Sequence, residues 1–252
     1  MIFSNDCLAG RTIFITGGSS GLGRAAAQHM ARCGARIVIS GRDPDRLEAT
    51  RSSLPGEGHA AVAADLVSVD DTAALVKSVA KEHGPLDGIL HSAGVSLTLP
   101  VRMTKQHHVD EVFRSSVMGA YGVLSAAAQK NVMTDSSAVI FLSSISAIKG
   151  YGGMMVYGGA KSAVHGMVKS AAVELAPKKI RVNAIVCGSV YTEMYARHVD
   201  KMGEQWIADI AARHPLGFGE PEDVTNATIF LMSDAGKWIT GTLMTVDGGY
   251  TA

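Results

Sequence analysis

The segment "YGGAK", residues 157–161, carries the residue types in this chain most able to do chemistry. Tyr157 and Lys161 are four residues apart, so on a helix they share a face, where the lysine cation would favour the phenolate and lower the pKa of the tyrosine. Gly158 and Gly159 each disfavour a helix by about 1 kcal/mol relative to alanine, and their missing β-carbons would let a large group lie against the backbone. The segment therefore predicts an acid–base pair beside the binding surface of a bulky ligand.

A glycine-rich turn, "TGGSSGLG" at residues 16–23, is a candidate phosphate-binding segment. Gly17, Gly21 and Gly23 permit a tight turn and close backbone approach, and the helix predicted to follow would offer free N–H groups to a pyrophosphate. The spacing G-x-x-x-G-x-G differs from the commoner G-x-G-x-x-G, and ordinary left-handed turns also need glycine. The position of the turn, after a predicted strand and before a helix, favours a dinucleotide site.

Short apolar runs rich in β-branched residues alternate with helical patterns along the whole chain. Nearly continuous apolar strands are typical of a parallel sheet covered on both faces, and the alternation predicts βαβ units with right-handed crossovers. We therefore expect one doubly wound α/β domain over residues 1–252, with its longest helical pattern from Val109 to Met133. The predicted strands are residues 11–16, 36–40, 59–64, 88–92, 138–143, 180–186 and 242–247.

Composition narrows the classes of partner. Among 252 residues, 47% are hydrophobic, and 23 Lys and Arg balance 23 Asp and Glu, so charge gives no case for nucleic-acid or anionic-membrane binding. Cys7, Cys33 and Cys187 form no pairing pattern, so neither disulfides nor a metal site is expected, and a reducing cytoplasm fits. The N-terminal sequence lacks a signal pattern, and no uncharged apolar run of about 18 residues occurs. A soluble, unprocessed protein with a small-molecule partner is expected.

Motifs spread over nearly the whole chain resemble those of the short-chain dehydrogenase/reductase family. Besides the two segments above they are "ADL" at 64–66, "SAG" at 92–94, "LSS" at 142–144, "RVNAIVCG" at 181–188, "VYTEM" at 190–194, "HPLGFGEPEDV" at 214–224 and "VDGG" at 246–249. The resemblance implies a Rossmann-like sheet of seven strands, with a nicotinamide over Gly158 and Gly159. It also implies a cofactor site formed by Gly17, Ser19, Ser20, Gly21, Leu22, Gly23, Ser40, Arg42, Asp65, Leu66, Ser92, Ala93, Gly94, Tyr157, Lys161, Gly188, Val190 and Thr192.

The same resemblance implies hydride transfer between a nicotinamide and a carbonyl or secondary alcohol. Ser144, 13 residues before Tyr157, would bond the carbonyl oxygen, Tyr157 would deliver the proton, and Lys161 would hold the nicotinamide ribose. Each residue also has an ordinary structural explanation: an aromatic at the core edge, a solvated helix lysine and a turn-forming serine. Their joint occurrence in order favours the catalytic interpretation.

Four residues depart from the family pattern. Ser116 stands where an asparagine on the long helix holds a water in the proton path, so we include Ser116 among the candidate catalytic residues. His91 and Ser92 stand where asparagines are common; for His91 we favour a structural, hydrogen-bonded role over catalysis. Cys187 replaces a usual proline and is expected to serve packing.

The second predicted strand favours NADP(H) over NAD(H). Gly41 occupies the place of the acidic residue that binds ribose hydroxyls in NAD-dependent folds, and Ser40 and Arg42 offer a hydroxyl and a guanidinium to a 2′-phosphate. Arg42 also has a purely solvated interpretation, because a helix is expected to open at Asp43. Ser19 and Ser20 add no basic residue.

The resemblance further implies a substrate lid at about residues 192–215, with an apolar face from Met194, Tyr195, Met202, Trp206 and Ile207. The chain also broadly resembles bacterial 3-oxoacyl-acyl-carrier-protein reductases, which suggests a thioester substrate. Because carrier proteins are acidic, basic residues such as Lys178 and Lys179 would lie beside the cleft. A free ketone, a sugar or a sterol-like alcohol stays open.

Two further expectations concern assembly and activity. Family members pair the long helix and the "YGGAK" helix across a two-fold axis, so a homotetramer is expected, with small residues on the long helix that equally suit packing on its own sheet. The alternative to an enzyme is an NADP(H)-binding sensor or scaffold of the same fold without turnover.

Overall fold

Seven parallel strands form one sheet in the computed structural model, which describes residues 2–193, 195 and 204–252. The strands are β1 (Thr12–Thr16), β2 (Arg36–Gly41), β3 (Ala60–Ala63), β4 (Leu86–His91), β5 (Met133–Ser144), β6 (Arg181–Cys187) and β7 (Leu243–Val246). Their order across the sheet is β3-β2-β1-β4-β5-β6-β7. The seven predicted strands and the doubly wound α/β class are confirmed.

Helices cover both faces of this sheet. They are α1 (Gly21–Arg32), α2 (Pro44–Ser52), α3 (Val69–His83), α4 (Gln106–Phe113), α5 (Gly119–Ala127), α6 (Met155–Leu175), α7 (Glu204–Ala211) and α8 (Pro221–Met232). No helix among the described residues has the length and apolarity needed to cross a bilayer.

The alternating strand side chains divide the apolar core into two layers. In β1, Phe14 points to the layer that contains buried residues of α3, α5 and α6, whereas Ile13 and Ile15 point to the layer built with α1 and α8. All three side chains are fully buried. This two-sided burial is the reason why the strand reads as a continuous apolar run rather than an alternating one.

The predicted long helix from Val109 to Met133 is wrong at both ends and in its middle. The helical region starts at Gln106, contains a π-helical turn at Arg114–Met118, and ends at Ala127. Asn131 adopts a left-handed φ of 61°, which an asparagine tolerates and a continuing helix does not. The chain therefore turns early, β5 already begins at Met133, and the longest described helix is α6 with 21 residues.

The strand order reverses direction between β1 and β4. Chain segments that leave these two strands diverge to opposite sides, which opens a crevice at the carboxyl ends of the strands. The glycine turn after β1 and the "SAG" segment after β4 both lie at this edge. The topology therefore places the candidate site there.

Candidate active site

The glycine turn between β1 and α1 is packed against the segment that follows β4. A β-carbon on Gly17, which has φ +69°, would lie 2.9 Å from the backbone of Ala93, and one on Gly23 would lie 2.2 Å from the carbonyl oxygen of Gly17. Larger residues would force the turn open. Gly21 has φ +50° and begins α1, and Ser20 makes no side-chain cap there. This close backbone cradle at a helix N-terminus fits a dinucleotide pyrophosphate.

Gly18 was missed by the sequence prediction. Its β-carbon would lie 2.6 Å from the side chain of Ile39 in β2, so glycine is needed for packing at this position. This requirement depends on a contact with the neighbouring strand β2, so the local sequence does not show it.

The other predicted cofactor residues converge on the same edge. Ser92 lies beside the turn, with its Oγ 3.1 Å from the β-carbon position of Gly23, and Thr192 lies 3.8 Å from that of Gly21. The remaining residues come after the carboxyl ends of strands. Asp65 and Leu66 follow β3, with Asp65 exposed and Leu66 buried. Gly94 follows β4, Gly188 and the buried Val190 follow β6, and Ser19 and Leu22 belong to the glycine turn after β1.

Glu193 is a second residue that the sequence prediction missed. Its Oε2 accepts a hydrogen bond of 2.9 Å from the backbone N–H of Gly21, and its Oε1 pairs with the guanidinium of Arg24. Hydrogen bonds from Gly21 and Arg24 therefore outweigh desolvation and keep the pKa of this carboxyl below its ordinary value. The ion pair ties the segment after β6 to the first turn of α1.

The adenosine end of the site, after β2, is open to solvent. Arg42 is exposed, whereas Ser40 is only 1% exposed within the sheet, so Arg42 is the more available of the two candidate phosphate ligands. A β-carbon on Gly41 would lie 3.1 Å from Ser19 Oγ. Asp43 caps α2 by accepting a 3.1 Å hydrogen bond from the N–H of Arg46.

Ser144, Tyr157 and Lys161 are brought together at the end of β5 and on α6. Lys161 Nζ lies 5.7 Å from the centroid of the Tyr157 ring and donates a 2.8 Å hydrogen bond to the carbonyl oxygen of Leu142. Ser144 Oγ contacts Ser146 at 3.2 Å. Lys161 is 6% exposed, and Tyr157 is half-buried. The predicted sharing of one helix face by Tyr157 and Lys161 is thus observed.

Burial controls the ionisation of this cluster. Desolvation raises the pKa of Tyr157 to about 12, the Cys187 thiol adds to the rise, and the Ser144 hydroxyl opposes it. Desolvation also lowers the pKa of Lys161 to about 8. The pKa of Tyr157 is therefore raised, not lowered as expected, because burial disfavours the charged phenolate. The phenol keeps its proton across the physiological pH range.

The two glycines of "YGGAK" differ in what surrounds them within the chain. A β-carbon on Gly158 would lie 2.6 Å from the carbonyl oxygen of Ser146, so Gly158 lets the loop after β5 lie against α6. Gly159 is exposed, with nothing within 4 Å of its β-carbon position. The structure therefore explains Gly158 by packing within the chain, and gives no packing reason for Gly159.

Ser116 lies in the π-helical turn, and its hydroxyl borders the same space as the Lys161 ammonium. Its Oγ is buried and has no hydrogen-bond partner among the described residues. Ser116 Oγ and Lys161 Nζ lie 3.1 and 3.4 Å from the β-carbon position of Gly94, so both atoms border the same small space. A buried, unpartnered hydroxyl is costly, and such costs are typical of functional sites.

His91 and Cys187 complete the surroundings of the cluster. His91 is buried with both ring nitrogens hydrogen-bonded, and burial lowers its pKa to about 3, which agrees with the structural role expected for it. Cys187 pairs with Ser144 across β5 and β6, and burial raises its thiol pKa to about 12. A buried protonated thiol is unreactive, which agrees with the packing role expected for Cys187.

Part of the predicted lid lies outside the described residues. Met194 and Met202, and the side chains of Trp206 and Ile207, lie outside the described residues. Tyr195 packs against Tyr191 and Phe218, with ring centroids 5.5 and 4.8 Å apart. Within the described ranges, no group of three or more His, Cys, Asp or Glu side chains is arranged to hold a metal ion.

Fold and site together define a dinucleotide-binding domain with an acid–base cluster at its sheet edge. The family model described as Enoyl-(Acyl carrier protein) reductase matches residues 17–251. The chain is 30% identical over 240 residues to carbonyl reductase family member 4 of Danio rerio, with 95% of this chain and 97% of the relative covered. It is 30% identical over 243 residues to the 3-oxoacyl-acyl-carrier-protein reductase FabG of Staphylococcus aureus, with 95% and 97% covered.

Solved structures give the same result. A short-chain type dehydrogenase/reductase from Mycobacterium ulcerans matches with a TM-score of 0.89 and 32% identity over 96% of this chain and 90% of the other. A blue fluorescent protein from a metagenomic library, solved in complex with NADPH, matches with a TM-score of 0.89 and 27% identity over 99% and 100%. The chain belongs to the short-chain dehydrogenase/reductase family. It is an oxidoreductase of CH–OH and C=O groups that uses a nicotinamide dinucleotide.

Proposed function

We propose that the protein is an NADPH-dependent ketoreductase that converts a small carbonyl compound to a secondary alcohol. The observation that carries this proposal is the cluster of half-buried Ser144 and Tyr157 with buried Lys161, which lies at the sheet edge where the glycine turn forms a pyrophosphate cradle. The reduced nicotinamide supplies the hydride. Everything else that the reaction needs, a held carbonyl oxygen and a proton, comes from side chains of this cluster.

The roles follow from the chemistry of each group. The Ser144 hydroxyl donates a hydrogen bond to the carbonyl oxygen and stabilises the negative charge that develops there. The Tyr157 phenol, whose pKa of about 12 keeps it protonated, gives its proton to that oxygen. Lys161, anchored on the carbonyl of Leu142, holds its ammonium beside the phenol that the transfer leaves as a phenolate. The Ser116 hydroxyl, which borders the same space as Lys161 Nζ, would help to return a proton toward Lys161.

Three features support NADP(H) over NAD(H). Gly41 offers no carboxylate to bind the ribose hydroxyls or to repel a 2′-phosphate. The guanidinium of Arg42 is exposed and is able to grip a phosphate with two hydrogen bonds. Asp43 directs one carboxylate oxygen to the N-terminus of α2, which reduces its competition for Arg42. One structural neighbour was solved with NADPH.

The substrate class is a ketone, and a 3-oxoacyl thioester is the first candidate to assay because relatives at about 30% identity carry the name of 3-oxoacyl-acyl-carrier-protein reductase. The suggested carrier contact at Lys178 and Lys179 is wrong. Both precede β6, at the sheet edge opposite the site, where Lys178 bonds the Ala128 carbonyl and Lys179 faces Asp135. Basic residues for an acidic carrier must therefore lie elsewhere.

A homotetramer is also part of the proposal, and exposed apolar side chains support it better than the small residues of the long helix. Gly119 and Gly122 are buried against their own chain, where a β-carbon on Gly122 would lie 2.5 Å from Thr72. Met118, Tyr121 and Met155, in contrast, are 37 to 49% exposed on the π turn, α5 and α6. These apolar side chains support pairing of that face with a second copy, which a measurement of mass in solution at micromolar concentration tests.

The proposed reaction is tested with a panel of ketones, aldehydes, sugars and 3-oxoacyl thioesters, each assayed by loss of NADPH and of NADH absorbance. We expect at least one ketone to be reduced faster with NADPH, and the Tyr157→Phe protein to bind the cofactor while reducing none of the panel at a comparable rate. Silence of the wild-type protein across the panel, with cofactor binding intact, would favour the sensor or scaffold instead.

A further inference from the structure

His91, the last residue of β4, connects the end of β1 to the π-helical turn. Its Nε2 lies 3.0 Å from the carbonyl oxygen of Ser115, which accepts only, so Nε2 carries the ring proton. Its Nδ1 therefore accepts the 2.9 Å hydrogen bond from the Thr16 hydroxyl. The Thr16 oxygen in turn accepts from the N–H of Ala93 at 3.3 Å. One neutral imidazole thus joins three segments of the sheet edge.

The π turn has an outside hydrogen-bond partner in His91. Gly119 N–H bonds to the carbonyl of Arg114, five residues back, so the helix is locally wider than an α-helix. The next carbonyl, that of Ser115, is the one that His91 binds. A β-carbon on Gly119 would lie 2.9 Å from the imidazole, so the glycine leaves the ring its place. Ser116, one residue beyond, is the group whose direction this turn decides.

We propose that His91 is a positioning residue that holds the π turn and thereby aims the Ser116 hydroxyl at the space beside Lys161 Nζ. Both atoms lie within 3.4 Å of the same β-carbon position at Gly94, so a small rotation of the turn would separate them. The catalytic consequence rests on the proposed ketoreductase function. The structural consequence, order in the π turn, does not.

A purely space-filling role for His91 makes a different prediction. The ring also packs edge-on against Phe141, with centroids 5.7 Å apart, so its bulk contributes to the core. If bulk alone mattered, the loss of activity would follow the size of the replacing side chain, glutamine or asparagine. The loss would then not depend on whether Ser116 is present. If the hydrogen bond to Ser115 matters, the variant that keeps a donor at the Nε2 position should behave as the wild type.

The test compares His91→Gln with His91→Asn. The glutamine amide reaches the Nε2 position and is able to donate to the Ser115 carbonyl, whereas asparagine is one methylene shorter and reaches only Thr16. We expect His91→Asn to lower kcat about tenfold, the value of one hydrogen bond, with KM for NADPH unchanged, and His91→Gln to retain kcat. In a Ser116→Ala background, His91→Asn should cause no further loss. His29→Gln is the control, because His29 is equally buried and bonds Thr225 at 2.7 Å between α1 and α8.

A second readout separates this inference from the proposed function. Amide hydrogen exchange over residues 114–119, measured without substrate, should be faster in His91→Asn than in His91→Gln or the wild type. If the protein reduces no carbonyl, this exchange measurement alone decides the inference. Equal exchange in the two variants would overturn it, as would equal kcat, or losses that add fully in the Ser116→Ala background.

Discussion

The two ends of the crevice differ in how far their functional side chains are exposed to water. At the proton-transfer end, Lys161 is buried and Tyr157 half-buried, and desolvation raises the pKa of Tyr157 to about 12 and lowers that of Lys161 to about 8. At the adenosine end, Arg42 is exposed to solvent just after β2. Gly41 beside it has no side chain, so no carboxylate is present at that position. One end is shaped by the packing of the sheet, and the other by exposed side chains, of which Arg42 is the cation.

This difference sets the size of the energies available to each end. Buried groups interact through a medium of low polarity, so the loss of one hydroxyl or amine is felt strongly. An exposed guanidinium is screened by water and salt, and a hydrogen bond to a charged group contributes roughly 1.5 to 3 kcal/mol. Substitutions at the buried end should therefore change turnover by orders of magnitude, whereas those at the exposed end should change selectivity between cofactors.

The largest effect is expected for Tyr157→Phe, which removes the phenolic hydroxyl and keeps the ring. Loss of the proton donor should reduce kcat roughly 10²- to 10⁴-fold, with cofactor affinity little changed. Steady-state kinetics and fluorescence titration with NADPH measure the two quantities. Tyr121→Phe, at an exposed position of α5, is the matched control and should leave both unchanged. A rate near that of the wild type in Tyr157→Phe would assign the proton donor to another group.

The next largest effect is expected at the exposed end, for the double variant Gly41→Asp with Arg42→Ala. The new carboxylate should bind the ribose hydroxyls and repel a 2′-phosphate, and the lost guanidinium should weaken NADPH binding. The preference for NADPH, expected to be on the order of 10- to 150-fold, should reverse, with kcat at saturation nearly constant. Arg46→Ala, an exposed arginine on α2, is the control. Higher kcat/KM with NADH than with NADPH in the wild type would contradict the cofactor assignment.

The two ends also differ in how far the sequence predicts them. Spacing within one helix was enough to place Tyr157 and Lys161 on a common face, and the apolar runs predicted every strand of the sheet, because both signals are local. The contacts of His91 with Ser115 and of Glu193 with Gly21 join segments 24 and 172 residues apart, and no local pattern announces them. The pKa of Tyr157 also depends on burial, which is a property of the whole fold.

A third prediction concerns the pH dependence of the buried end. Burial lowers the pKa of Lys161 from 10.5 to about 8, so its ammonium is present below pH 8 and is lost as the pH rises through that value. If the cation is needed, kcat/KM for carbonyl reduction should fall about tenfold per pH unit above pH 8. Lys169→Met, which removes an exposed lysine of α6, should leave the decline in place. A rate that stays flat to pH 10, with the fold intact by circular dichroism, would contradict a role for the charge.

The smallest effect is expected from substitutions at the two adjacent glycines of α6. Like the two ends of the site, one of them is exposed and the other is packed against the chain. Gly159 is exposed with open space around its β-carbon position, so Gly159→Ala should stabilise the helix by about 1 kcal/mol and raise Tm by roughly 2 to 4 °C. Gly158→Ala places a methyl group 2.6 Å from the Ser146 carbonyl, so the loop after β5 must shift. It should lower Tm and, because Ser144 and Ser146 hydrogen-bond to each other, also kcat. Thermal unfolding and kinetics of the two variants, measured with saturating NADPH and without it, provide the comparison. A loss of NADPH affinity in Gly159→Ala would mean instead that the cofactor lies against Gly159, as the sequence first suggested.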